Sequence, residues 1–189
     1  MTDWLTSGTW QFDDLARERM ESAIEFVNGE KVLDVGCRDG TFSIELAKRN
    51  PRMTVHGFDS DASSIEWANA HAPENATFFV DDVLKPKLPW DGQYDTVVCM
   101  ETLEHLPTDR VEDTHERLLA FLRPGGRLVV SVPANSHISD PDHKQVFYRE
   151  TLHGQKGIVW SKTCPHLWMM YMVEKTPPSA DDIVERDQE

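Results

Sequence analysis

A chain of 189 residues can bury a core of its own and suits one domain. Its formal net charge of −14 at pH 7 repels phosphate backbones at long range, which argues against a general nucleic-acid-binding surface. No apolar run approaches the ~20 residues of a membrane span, the opening Met1-Thr-Asp-Trp-Leu5 has no basic leader and apolar block, and Cys37, Cys99 and Cys164 form neither a zinc spacing nor a disulfide framework, so a cytoplasmic protein is expected.

Residues 1–28 precede the first strand. Leu15, Met20, Ile24, Phe26 and Val27 recur at helical spacing and predict a helix over 13–27. That helix either covers one sheet edge or, with the region of Trp4 and Trp10, forms a lid over a site. Next, Lys31-Val-Leu-Asp-Val-Gly-Cys-Arg-Asp-Gly40 reads as a buried strand running into a glycine turn, and a helix over 41–48 stops ahead of Pro51. Strand, glycine turn and helix make the first unit of a nucleotide-binding α/β sheet. Gly36 permits the turn and a close approach of ligand to backbone, and Gly40 permits tight packing where the helix begins. The helix N-terminus offers N–H groups to an anion. The spacing G-x-x-x-G is neither the G-x-G-x-x-G of dinucleotide enzymes nor a phosphate loop ending in Gly-Lys-Ser/Thr.

A second strand over 54–58 leads to Asp59, about 20 residues past the glycine loop, where a carboxylate can accept from both ribose hydroxyls of a bound nucleoside. Asp61 is placed to cap a helix over 62–70. The third strand, within 75–83, ends in Asp81-Asp82-Val83. After a turn-rich loop, Tyr94-Asp-Thr-Val-Val-Cys-Met100 is a fourth, apolar strand that runs into Glu101-Thr-Leu-Glu-His-Leu-Pro107. A helix over 108–122 with Thr108 as N-cap, a turn at Arg123-Pro-Gly-Gly126 and a fifth strand over 127–133 follow. Beyond a polar loop, a short helix is expected over 145–153, and strands over 158–161 and 167–174 form a hairpin around Thr163-Cys-Pro165. The acidic tail, 176–189, reads as disordered.

The segment Val32-Leu-Asp-Val-Gly-Cys-Arg-Asp-Gly40 resembles motif I, D/E-x-G-x-G-x-G, of the class I S-adenosylmethionine (SAM)-dependent methyltransferases, with Arg38 at the middle glycine. Tyr94-Asp-Thr-Val-Val-Cys-Met-Glu-Thr-Leu-Glu-His-Leu106 and Leu122-Arg-Pro-Gly-Gly-Arg-Leu-Val-Val-Ser-Val-Pro133 are similar to the family's fourth and fifth strand blocks, as found in ubiquinone-type small-molecule O-methyltransferases. The resemblance implies a three-layer Rossmann-like α/β fold, with a mostly parallel seven-stranded sheet and an antiparallel C-terminal hairpin. Residues 29–175 would form the SAM-binding domain, 1–28 a helical lid or cap, and 176–189 a tail. The implied cofactor is SAM, giving S-adenosyl-L-homocysteine as product. Asp34, Gly36, Cys37 and Gly40 would line the loop, Asp59 the ribose and Ser60 the adenine. Asp82, or alternatively Asp81, would accept from the adenine amino group, the Val83 N–H would meet a ring nitrogen, and Glu101 would line the methionine side.

Methyl transfer from a sulfonium requires alignment in a dry site more than acid catalysis, and a base only where the acceptor carries a proton. His105, just past the fourth strand, is the candidate base because imidazole titrates near neutrality; its bland alternative is a loop or capping histidine. The main reading has a small-molecule acceptor at oxygen or nitrogen, with no metal, nucleic acid or membrane. Two alternatives stand beside it. Glu101-x-x-Glu104-His105, with Asp142-His143-Lys144 and Phe147 later, resembles the metal-binding pattern of small-RNA 2′-O-methyltransferases, in which two glutamates and two histidines hold a divalent ion. The chain could also be a SAM-binding partner subunit without turnover of its own. An exposed hairpin edge near Trp168-Met-Met-Tyr171 would allow a homodimer.

Overall fold

Runs such as Val97-Val-Cys99 and Leu128-Val-Val130 carry no alternating polar residues, a pattern that suits a strand covered on both faces. The computed structural model, which describes residues 14–133, 142–147, 158–164 and 168–176, places these runs at the centre of a seven-stranded sheet. In chain order the elements are α1 (Asp14–Ile24), β1 (Lys31–Val35), α2 (Thr41–Arg49), β2 (Thr54–Asp59), α3 (Ala62–His71), β3 (Ala76–Val80), β4 (Tyr94–Met100), α4 (Val111–Phe121), β5 (Leu122–Pro133), β6 (Ile158–Cys164) and β7 (Trp168–Glu174).

The strand order is β3-β2-β1-β4-β5-β7-β6. Strands β1 to β5 pair in parallel, and β7 runs antiparallel to both β5 and β6. Successive side chains of a strand point to opposite faces, so each central strand feeds two cores. Val32, Val55, Val98, Val129 and Met170 pack with Phe42, Ile44 and Leu46 of α2, Ile65 and Ala68 of α3 and Ala23 of α1. On the other face Leu33, Val97, Cys99, Val130 and Tyr171 pack with Leu118 and Phe121 of α4, Trp90 and Phe147. Helices therefore cover both sides of the sheet, giving the three-layer α/β architecture. The chain leaves β1 toward β2 on one side and returns to β4 on the other. The crevice beyond the carboxyl ends of β1 and β4 is thus a topological switch point, where open α/β sheets bind ligands.

Several expectations are corrected. Trp168, Met169, Met170 and Tyr171 are buried, and β7 lies between β5 and β6, so the stretch proposed as an exposed pairing edge is interior. Thr108 does not cap α4; it begins a 3₁₀ turn, Thr108–Arg110, and α4 starts at Val111 with no side-chain cap. Strand β5 begins directly after α4, so the expected glycine turn lies within it, with Gly125 at φ 77° and a register shift against β4. Residues 145–147 are not helical; Phe147 makes an isolated bridge and enters the core. The Trp4–Trp10 region, the remainder of the helix expected over 145–153 and residues 177–189 lie outside the described residues. Among the described residues no helix is long and apolar enough to cross a membrane.

Candidate functional site

The loop between β1 and α2 is shaped by its own backbone. Gly36 and Gly40 both lie at φ 73°, in the left-handed region that glycine enters without a Cβ penalty, and Arg38 adopts φ 50° between them. The Gly36 and Cys37 amides donate to the Phe58 carbonyl of β2 at 2.9 and 3.1 Å. A Cβ on Gly36 would lie 2.3 Å from Thr102 Oγ1, and one on Gly40 would lie 2.7 Å from the Phe78 ring. Both glycines therefore admit protein groups at close range, Thr102 at Gly36 and Phe78 at Gly40. Cys37 is buried, which pushes its thiol well above the ordinary range, with the Asp34 and Asp59 charges adding to the shift.

Asp34 lies beneath this loop rather than at its surface. It is 3% exposed and accepts a hydrogen bond from Ser43 Oγ of α2 at 2.7 Å. Burial raises its carboxyl to about 7; the Ser43 bond opposes the shift, and the Asp59 and Asp39 charges reinforce it. The carboxyl thus braces β1 against α2. Asp39 takes the amide and hydroxyl of Thr41 at 3.2 and 2.7 Å, occupying part of the helix N-terminus.

At the end of β2, Asp59 is half-buried. Its Oδ2 accepts the Arg38 amide and its Oδ1 the Asp61 amide, each at 2.9 Å. A carboxylate has about four lone-pair positions, so acceptor capacity remains beyond these two bonds. Asp61 caps α3 by accepting the Ser63 amide at 2.9 Å, as the sequence predicts, and Ser60 is exposed beside it. After β3 the two adjacent acids diverge. Asp81 is buried and accepts from Trp90 Nε1 at 2.8 Å and from the amides of Asp82, Lys87 and Leu88. Burial alone would raise its carboxyl, but these bonds outweigh it and hold it below the usual range. Asp81 organises its own loop, whereas Asp82 is exposed and accepts the Leu84 amide at 2.8 Å, and Val83 is buried.

Beyond β4, Glu101 adopts φ 50°, an unusual conformation for a residue with a Cβ. Its amide donates to the Ser131 carbonyl, its Oε1 accepts Ser131 Oγ at 2.8 Å, and its Oε2 lies 3.4 Å from Arg19 Nη1 of α1. Burial raises the Glu101 carboxyl, against the opposing pull of Arg19, Ser131, His143 and His105. The 3₁₀ turn Leu103–His105 follows. Glu104 is 1% exposed, and its Oε1 lies 3.9 Å from His105 Nε2. The His105 and His143 ring centroids are 4.9 Å apart. Ligand atoms of Glu104, His105 and His143 all fall within 4.8 Å of one another; Glu101 is not in that group.

Arg19, Thr102, Ser131 and the loop-forming role of Asp81 were not singled out from sequence. Arg19 belongs to the polar face of an amphipathic helix, where nothing local separates it from neighbouring charges. Its partner becomes evident only when α1 packs near the end of β4.

The family model described as a methyltransferase domain matches residues 9–168. An Erwinia tasmaniensis protein named ubiquinone biosynthesis O-methyltransferase is 36% identical over 106 residues, which are 54% of this chain and 42% of that one. A Deinococcus radiodurans protein named trans-aconitate 2-methyltransferase is 38% identical over 109 residues, 56% of this chain and 38% of that one. The chain spans less than half the length of these two relatives. The crystal structure of Bradyrhizobium japonicum N-methyltransferase NodS with S-adenosyl-L-homocysteine superposes with a TM-score of 0.72 at 18% identity, covering 89% of this chain and 90% of that one. At that identity the likeness concerns the fold.

Proposed function

The chain belongs to the methyltransferase-domain family, and on that premise we propose that it transfers the methyl group of SAM to an oxygen or nitrogen of a small molecule. One observation carries the reading. Asp59 and Asp82 stand at the ends of the neighbouring strands β2 and β3, while Glu101 and Arg19 stand together past β4, on the other side of the switch point. This donor set fits the cofactor's two ends. Carboxylates suit ribose hydroxyls and an adenine amino group, and a paired carboxylate and guanidinium suit the amino and carboxylate groups of a zwitterionic methionine.

When bound, SAM would supply a sulfonium methyl group with a neutral thioether as its leaving group, so no acid is needed at the sulfur. The chain's own contribution is alignment. Asp59, already holding the Arg38 and Asp61 amides, ties the ribose position to the glycine loop. Ser131 and Arg19 hold Glu101 in its left-handed conformation at the methionine end. In this reading Asp34 and Cys37 act from beneath the loop, and Gly36 and Gly40 set its path. Ser60 and Val83 frame the adenine. His105, partly exposed past β4, stands where an acceptor proton would be taken up.

The names of the relatives favour a small acceptor and an enzyme with turnover, so neither the RNA-end reading nor the partner-subunit reading is preferred. Calorimetric titration of the folded chain with SAM and S-adenosyl-L-homocysteine tests the proposal. Saturable binding near one equivalent is expected. Absence of binding by protein that melts cooperatively would refute it.

A further inference from the structure

The segment from Asp81 to Trp90 belongs to no helix or strand, and Pro86 and Pro89 remove two of its backbone donors. Its remaining amides still need partners, and a loop without a ladder must be held from outside itself. We propose that the buried pair Asp81 and Trp90 is that hold, that it positions Asp82 and Val83 against the edge of the cofactor's base, and that it thereby sets a preference for a 6-amino purine over a 6-oxo one. This role rests on the methyl-transfer reading, which puts the base beyond the end of β3.

Asp81 and Trp90 are each 4% exposed. Oδ1 of Asp81 accepts the Asp82 amide at 2.9 Å and the Lys87 amide at 3.0 Å. Its Oδ2 accepts Trp90 Nε1 at 2.8 Å and the Leu88 amide at 3.2 Å. A carboxylate has about four lone-pair positions, so these donors occupy the group. Asp81 therefore serves the base through its neighbours, as a positioning residue. It gathers both ends of the loop, while the Asp82 carboxylate stays exposed and takes the Leu84 amide at 2.8 Å.

Trp90 extends the hold to the rest of the site. Its ring stacks on Phe58, with centroids 5.2 Å apart and planes 20° apart. The Phe58 carbonyl accepts the Gly36 and Cys37 amides at 2.9 and 3.1 Å, and the Asp59 carbonyl accepts the Asp81 amide at 3.0 Å. Val83 is buried in the same core as Trp90 and Phe58. The glycine loop, the ribose acid Asp59 and the loop after β3 thus meet on one indole and one carboxylate.

The selectivity follows from donor and acceptor patterns. Adenine presents an amino donor beside the N1 acceptor; hypoxanthine presents an oxygen acceptor beside an N1–H donor. The Asp82 carboxylate with the Val83 N–H matches the first pattern and opposes the second at both points. Such discrimination needs the two groups held in narrow geometry, because hydrogen bonds weaken steeply with misalignment. A loop released from Asp81 and Trp90 lets both groups move away from either base.

Calorimetric titration of the full chain with S-adenosyl-L-homocysteine and with S-inosyl-L-homocysteine tests the proposal. Wild type should prefer the adenosyl ligand by at least about 10-fold. Asp81→Asn keeps the side chain's shape but turns one acceptor into a donor facing N–H groups. Trp90→Phe keeps an aromatic ring beside Phe58 and removes the Nε1–H donor. Each should shrink the preference to below about 3-fold, chiefly by weakening the adenosyl ligand, since the contacts to the ribose and methionine ends are common to both ligands. A merely structural role would weaken both ligands alike and leave their ratio unchanged. Thermal melting checks each variant, and Trp90→Phe decides the matter if Asp81→Asn does not fold. Asp82→Ala separates the two layers of the reading. Loss of the preference in Asp82→Ala, with the wild-type ratio kept in Asp81→Asn and Trp90→Phe, would overturn the positioning role and leave the adenine assignment standing. A ratio unchanged in Asp82→Ala, or no binding of either ligand by wild type, would overturn the adenine assignment and the positioning role with it.

Discussion

Replacing Asp34 with asparagine should stabilise the protein, and by an amount that grows with pH. The side chain is 3% exposed, and its carboxyl is raised to about 7 in the fold against an ordinary value of 3.8. Because the folded value lies above the unfolded one, folding favours the protonated acid. This contribution is complete below the unfolded pKa and is lost as pH rises toward 7. Between the two values the native state holds one more proton than the unfolded chain, so stability falls by about 1.4 kcal/mol per pH unit from this group alone. Integrated over the shift, the ionisable acid is about 4 kcal/mol worse than a permanently neutral side chain at pH 8, but only about 0.6 kcal/mol worse at pH 4. Asparagine is nearly isosteric, and its carbonyl oxygen can still accept the Ser43 Oγ hydrogen bond. Urea unfolding of both proteins at pH 4, 6 and 8 measures the difference directly, and comparing the pair cancels the titration of every other group. A pH-independent difference, or an asparagine variant less stable at pH 8, would refute the argument that this carboxyl is held neutral by burial.

Asp59→Ala should weaken SAM binding about 10- to 100-fold, the scale of one or two hydrogen bonds to a charged group; calorimetry showing unchanged affinity would remove the ribose assignment. His105→Ala should leave SAM affinity in place and lower kcat about 10²- to 10⁴-fold, and an undiminished rate would return the residue to a structural role. Gly36→Ala should cost about 2–4 kcal/mol in denaturant unfolding, since it combines a positive φ with a Cβ 2.3 Å from Thr102 Oγ1. Adding Thr102→Ala should recover the steric part and leave the backbone part. Equal stability of Gly36→Ala and wild type would mean that the loop tolerates another path.

The strands were the most legible part of the chain. A strand buried on both faces must be apolar at consecutive positions, so Val97-Val-Cys99 and Leu128-Val-Val130 announce themselves without any partner in view. The Asp61 cap was readable for a similar reason, because the side chain meets an amide two residues away. Helix ends were less legible. Thr108 has the chemistry of a cap, but the chain spends one 3₁₀ turn there before α4 begins. Trp168 to Tyr171 read as an exposed edge because an apolar stretch near a hairpin has no local mark of which neighbour pairs beside it.

The acids divide along the same line. From sequence, Asp34, Asp59, Asp81 and Asp82 are all carboxylates at strand ends. The fold sends Asp34 to Ser43 and Asp81 to Trp90, and leaves Asp59 and Asp82 more open. The order of elements, the glycine turn and the acid-bearing strand ends were determined by local sequence, because period, burial and turn chemistry act over a few residues. The pairing of Arg19 with Glu101 and the meeting of Glu104 and His105 with His143 were decided by tertiary structure alone. They depend on which helices and loops the two faces of the sheet bring to the ends of its strands, and no local propensity carries that information.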